Sequence, residues 1–255
     1  MNRFTRFIAA VALLAAGFLM ASPVAAADSQ YDAKLSVLHG VPGAVVDVYV
    51  DDVLTLNDFT PGTLAGPLSL PAGVYVVTIV ASTDPDNSNP IIGPAPLPLE
   101  SSMNYTAVAH LDAAGAPTAS LFTNDTTVAG IGKGKITARH TAANAEGVEV
   151  VLEGSSLGTF NNGDQIGPAG LDAGVYSVEI KAGDVVVPPT PADVSVFSDQ
   201  NTIVYAWGDA SDLQLAIQSV DLEYNNPTSI PTLGTVGMAL MVTIMLLVGA
   251  RRFTS

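Results

Sequence analysis

The sequence predicts an all-β protein: two tandem immunoglobulin-like β-sandwich domains followed by a C-terminal transmembrane helix. Three observations carry this. Short runs rich in Val, Ile, Thr and Tyr recur between clusters of Gly, Pro, Asn and Asp, with no helical periodicity until the last apolar run. The pattern repeats once, at an offset of 101 residues. A charge-free stretch from Leu233 to Ala250 then precedes Arg251-Arg252.

The N-terminus reads as an export signal. Arg3 and Arg6 precede an apolar stretch from Phe7 to Met20, and Ala25-Ala26-Ala27 supplies the small residues that a signal peptidase needs, with Ala25 and Ala27 at the cleavage site. Residues 1–27 are therefore expected to be a signal peptide. The exported region has 24 acidic residues against five basic ones (Lys34, Lys133, Lys135, Arg139 and Lys181), a formal charge of −19. Such a charge repels phosphate backbones, so no nucleic-acid partner is expected. Its plainest role is solubility. The chain has no cysteine, so disulfide staples, thiolate metal sites and a cysteine nucleophile are all excluded, and stability must come from packed cores.

The repeat divides this region. Lys34-Leu35-Ser36-Val37-Leu38-His39 corresponds to Lys135-Ile136-Thr137-Ala138-Arg139-His140, and Leu70-Pro71-Ala72-Gly73-Val74-Tyr75 corresponds to Leu171-Asp172-Ala173-Gly174-Val175-Tyr176. Val46 to Val50 matches Val148 to Leu152, and Asn104 to Val108 matches Asn201 to Tyr205. A unit of about 95 residues has the size of a small domain rather than of a solenoid repeat. The expected modules are residues 28–127 and 128–224, with residues 225–255 holding a linker, a sorting motif, the helix and a basic tail.

Strands are expected at Ala44 to Val50, Val74 to Ala81, Tyr105 to Leu111, Val175 to Ile180 and Thr202 to Trp207. Several of these runs are almost continuously apolar. By contrast Ser177, Glu179 and Lys181 alternate with Val178 and Ile180, which predicts one wet and one buried face. Six to eight short strands per unit favour a sandwich, with a small barrel as the alternative. Gly73 and Gly174 are expected at positive φ in the turns before their strands, where Tyr75 and Tyr176 then cap the core. The five prolines between Pro85 and Pro98 read as a long edge connection, as does Val187 to Pro191. Gly130 to Lys135 reads as a flexible linker, lacking phosphate-loop spacing.

No constellation predicts catalysis, so the chain is expected to be non-enzymatic and to need no cofactor. His39 and His140 occupy equivalent positions, but each lacks a second histidine nearby, which favours hydrogen bonding to a turn over metal ligation. Asp47 is the candidate partner of His39. Asp84, Asp86 and Asn87 form the best calcium candidate, because closely spaced oxygens suit a hard cation; the segment lacks the complete loop pattern, and a solvated turn is the competing reading. Asp51-Asp52 reads as a turn in the same way. Glycan recognition could use Tyr49, Tyr75, Tyr105, Tyr176, Tyr205 or Trp207, although strand positions put most of these rings in cores.

The run from His39 to Asp52, with Leu70 to Tyr75 and Asn104-Tyr105-Thr106, resembles the bacterial domain of unknown function numbered 4397. The second unit keeps His140, Val148-Glu149-Val150 and Ala173-Gly174-Val175-Tyr176 but replaces the proline-containing turn with Thr141 to Ala145, a divergent copy. The resemblance implies a β-sandwich module of extracytoplasmic proteins and brings no catalytic residues.

As a helix, Leu233 to Ala250 spans roughly 27 Å, enough for a bilayer core. The arginines at its end place the C-terminus in the cytoplasm and the domains outside. Ile230-Pro231-Thr232-Leu233, Gly237, the apolar run and Arg251-Arg252 together resemble the IPTL-type sorting signal, with Gly234 and Val236 where that signal has serine and tryptophan. The resemblance implies an exosortase-like sorting enzyme as partner, besides signal peptidase and the membrane. The expectation is an exported structural or adhesive protein of the cell surface or matrix, with a surface glycan or protein as partner; a permanently anchored glycan- or calcium-binding module is the alternative.

Overall fold

The computed structural model describes residues 31–223, all in strands, turns and connections. These residues contain no helix long and apolar enough to cross a membrane. The expected signal peptide, the sorting motif and the Leu233 to Ala250 run lie outside them.

The first eight strands are β1 (Ala33–Gly40), β2 (Val46–Val50), β3 (Val53–Phe59), β4 (Leu64–Leu70), β5 (Gly73–Ala81), β6 (Ile92–Leu99), β7 (Asn104–Leu111) and β8 (Pro117–Thr123). They form two four-stranded sheets, ordered β3-β2-β5-β6 and β4-β1-β7-β8. The next nine are β9 (Lys133–Ala143), β10 (Val148–Leu152), β11 (Ser155–Phe160), β12 (Gln165–Asp172), β13 (Gly174–Ala182), β14 (Val185–Val186), β15 (Ala192–Val196), β16 (Gln200–Asp209) and β17 (Asp212–Asp221). Their sheets repeat the same order: β12-β9-β16-β17, and β11-β10-β13-β14 with β15 also on β13. In each half the first strand pairs in parallel with the penultimate one, β1 with β7 and β9 with β16, while all other pairings are antiparallel.

This strand order corrects one expectation. An immunoglobulin sandwich sets its strands A, B, E and D against C, F and G, whereas here the first strand sits inside a sheet between the fourth and seventh. Hydrophobic alternation counts strands but carries no information about which edge each one joins, so the sequence could not separate the two topologies.

Local chemistry explains the hairpins. Asp51 and Asp52 both have positive φ (49° and 64°), as do Glu153 and Gly154 (49° and 75°), the conformation of a two-residue turn whose twist matches the flanking strands. The side chain at the first position ties the turn to the neighbouring strand: Val76 N–H donates to Asp51 Oδ1 at 2.8 Å and Ser177 N–H to Glu153 Oε1 at 2.6 Å. Gly73 and Gly174 do not take positive φ. Their turns are closed instead by Tyr75 and Tyr176, whose hydroxyls donate to Pro71 O and Asp172 O, each at 2.8 Å. The expected connection from Pro85 to Pro98 is only partly a connection, because Ile92–Leu99 pairs with β5 as an edge strand, where missing N–H groups are tolerated. Likewise Lys133 to Lys135 begins β9 and is no flexible linker.

The four sheets stack in layers. Within the first sandwich, Val46, Val48, Phe59 and Ile79 pack on Ala109 and Val37, and Leu97 and Leu99 pack on Leu35 and Tyr105. Within the second, the buried residues form a single cluster that includes Val148, Val150, Phe160, Ile180, Val194 and Val204. A further cluster joins the sandwiches: Leu38, Val108 and Phe122 of the β4-β1-β7-β8 sheet meet Ile203, Tyr205, Trp207 and Val220 of the β12-β9-β16-β17 sheet. Both middle sheets are thus covered on both faces. That is why β9 and β16 are buried almost throughout. β16 meets this with the apolar run from Ile203 to Trp207, and β9 with Ile136, Ala138 and Ala142 beside polar side chains that are hydrogen-bonded.

Polar groups around Arg139 in this seam are paired, whereas the buried Trp207 Nε1 has no hydrogen-bond partner. Arg139 is 1% exposed, and it donates to Gln165 Oε1 at 3.1 Å, Tyr205 Oη at 2.7 Å and Thr123 O at 3.2 Å. Its guanidinium carbon lies 4.6 Å from the Phe122 ring centroid. Tyr205 in turn donates to Gln218 Oε1 at 2.6 Å, which also accepts from Thr106 of the opposing sheet at 2.9 Å. Burial pulls the Arg139 guanidinium down from its ordinary range and pushes the Tyr205 phenol up. Trp207 crosses the seam, so that a Cβ on Gly62 of the first sandwich would meet its Cζ2 at 3.1 Å.

Gly66 has φ +102°, and a Cβ there would lie 2.7 Å from Leu35 O. Gly66→Ala is therefore expected to cost about 2–3 kcal/mol in denaturant unfolding. Gly170→Ala, with open space around it, should stay within about 0.5 kcal/mol. Arg139→Lys is expected to cost more than about 1.5 kcal/mol in the same measurement, because one ammonium cannot reproduce a fork that reaches three acceptors.

Candidate functional site

The sequence candidates fall into two groups in space, the histidine turns and the acidic loop. All three histidines of the chain, His39, His110 and His140, are 1% exposed. His39 Nδ1 accepts from Val41 N–H at 3.4 Å, so Nε2 carries the proton and donates to Ala44 O at 2.8 Å. His140 repeats this: Ala142 N–H donates to Nδ1 at 3.3 Å, and Nε2 bonds Ala145 O. Each ring lies against the phenylalanine at the end of the third strand of its half, His39 on Phe59 at 5.6 Å and His140 on Phe160 at 5.2 Å between centroids. Each imidazole thus closes the turn after the first strand with both nitrogens occupied. Asp47 is not the partner of His39; its Oδ1 accepts from Asp58 N–H at 2.8 Å. His110 was not singled out from the sequence. It bonds Leu111 O through Nδ1 at 2.8 Å and Ser120 through Nε2 at 2.9 Å.

The acidic loop joins β5 to β6. Asp86 Oδ1 accepts from Ser88 N–H at 2.9 Å, Asn87 Nδ2 donates to Asp52 Oδ1 at 2.7 Å, and Asn89 Nδ2 donates to Asp84 Oδ2 at 3.4 Å. Hydrogen bonds from Ser88 hold the Asp86 carboxyl below its ordinary value. Asp84, Asp86 and Asn87 therefore divide among local donors and the β2–β3 turn instead of pointing to one centre. Among the described residues, no three of His, Cys, Asp or Glu converge where they could hold a metal ion.

That Asn87–Asp52 bond fixes the course of the loop. The loop leaves β5 beside Val46, yet Asn87 reaches the opposite end of β2, so the chain folds back along the sheet. Asp47, Thr78 and Val80, which face away from the sandwich interior, are accordingly buried. Beyond the loop the same outer face is open and apolar. Val74 is 68% exposed, Val76 42% and Leu54 44%; Val76 lies opposite Pro96 and Val74 opposite Pro98. The corresponding outer face of the second sandwich is polar, with Ser177 opposite Asp193, Val175 opposite Ser195, and Glu179 paired with Lys181 at 3.4 Å.

Of the aromatic candidates, Tyr105, Tyr205 and Trp207 are buried and Tyr75 and Tyr176 are half-buried over their turns. They form no shared platform. The cleavage residues Ala25 and Ala27, the motif Ile230, Pro231, Thr232 and Leu233, and the stop residues Arg251 and Arg252 lie outside the described residues. One repeated feature escaped the sequence reading: Gly66-Pro67 and Gly167-Pro168, 101 residues apart, both put glycine at positive φ against the backbone of the first strand. The recurrence of Gly-Pro at the repeat offset was the available signal.

The family model described as Domain of unknown function (DUF4397) matches residues 33–151. The match covers β1 to β8 and runs on through β9 into β10. No curated protein matches the chain.

Burial holds the pKa of His39, His110 and His140 below the ordinary histidine value, outweighing the hydrogen bonds to Ala44, Leu111 and Ala145. In the unfolded chain these groups bind protons near pH 6.5, while the folded chain resists protonation, so below that value the unfolded state binds more protons. Unfolding free energy is expected to be fully retained above about pH 7 and to fall as pH drops through 6.5 toward 5. Denaturant titrations across this range check the slope, which His110→Gln should reduce.

Proposed function

We propose that this chain is an exported, non-enzymatic structural or adhesive component of the cell surface or extracellular matrix, built from two copies of one β-sandwich module. In this reading residues 1–27 direct export. Ile230 to Leu233, the apolar run after them and Arg251-Arg252 then hold the protein at the membrane until an exosortase-like enzyme cuts near the motif.

The observation that carries the reading is the unlike character of the two outer faces. One is an open apolar row of Leu54, Val74 and Val76, the other a charged sheet with Glu179 and Lys181. A row of exposed apolar side chains on a stiff sheet supplies contact area at little cost in ordering, because the strand already fixes its side chains. The recurrence of the histidine turn, the tyrosine turn and the Gly-Pro kink at one offset supports a duplicated module. The acidic surface suits a protein that must remain soluble outside the cell before attachment.

One experiment tests both parts. Cells producing the chain are fractionated into medium, surface and membrane, and the intact mass of the product in each is measured for the native chain and for Val74→Asp/Val76→Asp. The expected product begins near Asp28 and ends between Ile230 and Leu233, and the variant gives the same mass and thermal midpoint with surface retention reduced at least tenfold. A product retaining residues 1–27 inside the cell, or equal retention of the variant, overturns the reading.

A further inference from the structure

The two sandwiches share a strand order but place their empty space differently: in the second, a cavity of about 170 Å³ lies beside the His140 turn, against Val148, Ile180 and Leu213. In the second, the buried residues form one continuous cluster; in the first they split into two, one toward the His39 turn and one toward the Tyr75 turn. Between the two lies empty space. A cavity of about 130 Å³ opens toward β6 and β8, and another of about 290 Å³ opens toward β3 and β4. Both are walled by the inner faces of β1 and β2, through the same four residues: Leu35, Val37, Val48 and Val50.

The register identifies what makes room. Ala107 of β7 pairs with Val37 on β1, and Ala119 of β8 with Ala109 on β7. In the second sandwich the same places hold Val204, paired with Ala138, and Leu215, paired with Ala206. Val50, which ends β2, has Leu152 as its counterpart. On β7, β8 and β2, two alanines and a valine thus stand where the second sandwich has valine and two leucines, while on β1 the exchange runs the other way, with Val37 against Ala138. The net reduction is on β8 and at the end of β2, where Ala119 and Val50 line the empty space.

We propose that the first sandwich binds a neutral alkyl chain between its sheets. The lining is mostly aliphatic; its polar side chains are Ser120 on β8, Thr55 and Asp51 on or beside β3, and Tyr75 on β5, whose hydroxyl already donates to Pro71 O. A water inside would lack the two to four polar partners that hold buried water, whereas an apolar cavity near 150 Å³ stays dry and takes up hydrocarbon. The space runs between two extended sheets and opens at both edges, a slot that suits a linear molecule. The Asp51 carboxylate beside the wider mouth, within a strongly acidic chain, disfavours an anionic head group and selects an uncharged chain.

The full chain is tested with n-hexane-saturated buffer and, separately, with sodium hexanoate at the same concentration, reading the thermal unfolding midpoint. Hexane is expected to raise the midpoint by several degrees, and hexanoate by less than a third as much. The double variant Ala107→Val/Ala119→Leu, which copies the second sandwich, is expected to unfold at or above the native midpoint without ligand and to lose the hexane response. Val50→Leu, which copies Leu152, gives the same reading should the double variant fail to fold, with hexane affinity weakened at least tenfold. No hexane response in the native chain, an undiminished response in the filled variants, or an equal response to hexanoate each overturns the proposal.

Discussion

The seam between the two middle sheets is the constraint on which the rest of the molecule depends. Two sheets that each bury both faces need strands without a wet side, and β1, β7, β9 and β16 meet that need with mainly apolar residues toward the sandwich interiors and, in the seam, apolar Leu38, Val108, Ile203 and Trp207 beside hydrogen-bonded Thr106, Arg139 and Tyr205. Arg139 is the costly member. A guanidinium withdrawn from water is tolerated only when its donors are satisfied, and here a glutamine, a tyrosine and a backbone carbonyl replace the carboxylate that would usually pair with it. The aromatic faces of Phe122 and Tyr205 add cation–π attraction. Its equivalent in the first half is Leu38, on the other side of the same seam. A leucine facing an arginine-centred network gives the two sheets unlike contact surfaces, so the sandwiches dock in one register.

The differences between the halves follow from this arrangement. The groups that close turns, His39 and His140, Tyr75 and Tyr176, Gly66 and Gly167, are retained because backbone geometry needs them. Positions facing the interior or the solvent differ. The interior of the first sandwich is open between two separate clusters and its outer face exposes an apolar row, while the second sandwich has one continuous buried cluster and a charged exterior.

Much of this was legible in the sequence. Strand positions followed from Val, Ile and Thr runs between turn residues, and β13 displays the predicted alternation, with Val178 and Ile180 buried beneath Ser177, Glu179 and Lys181. The histidines read correctly as turn-binding groups because each lacked neighbours suited to a metal. Strand order was not legible, since period-two alternation is the same whichever edge a strand joins. Nor was the seam: a continuously apolar strand is buried on both faces, but its residues do not say which sheet covers it. The edge strand at Ile92–Leu99 was hidden by its prolines, which forbid a central position without forbidding an edge. The empty space in the first sandwich could be found only once the register had aligned Ala107 and Ala119 with their larger counterparts.

The connection between the halves is itself clasped. Lys135, at the start of β9, donates to Asp125 at 2.6 Å and to Thr127 at 2.7 Å, Asn201 reaches Asp125 O at 3.1 Å, and Thr127 forms a parallel bridge with Glu223 at the far end of the second half. Burial pushes the Asp125 carboxyl up, but its bonds with Lys135 and Thr127 outweigh this and hold it below the ordinary range. A peptide bond broken in this segment would leave the halves joined by the seam. In surroundings rich in secreted proteases, a nick at the junction would be a silent wound: the molecule would lose covalent continuity and keep its shape.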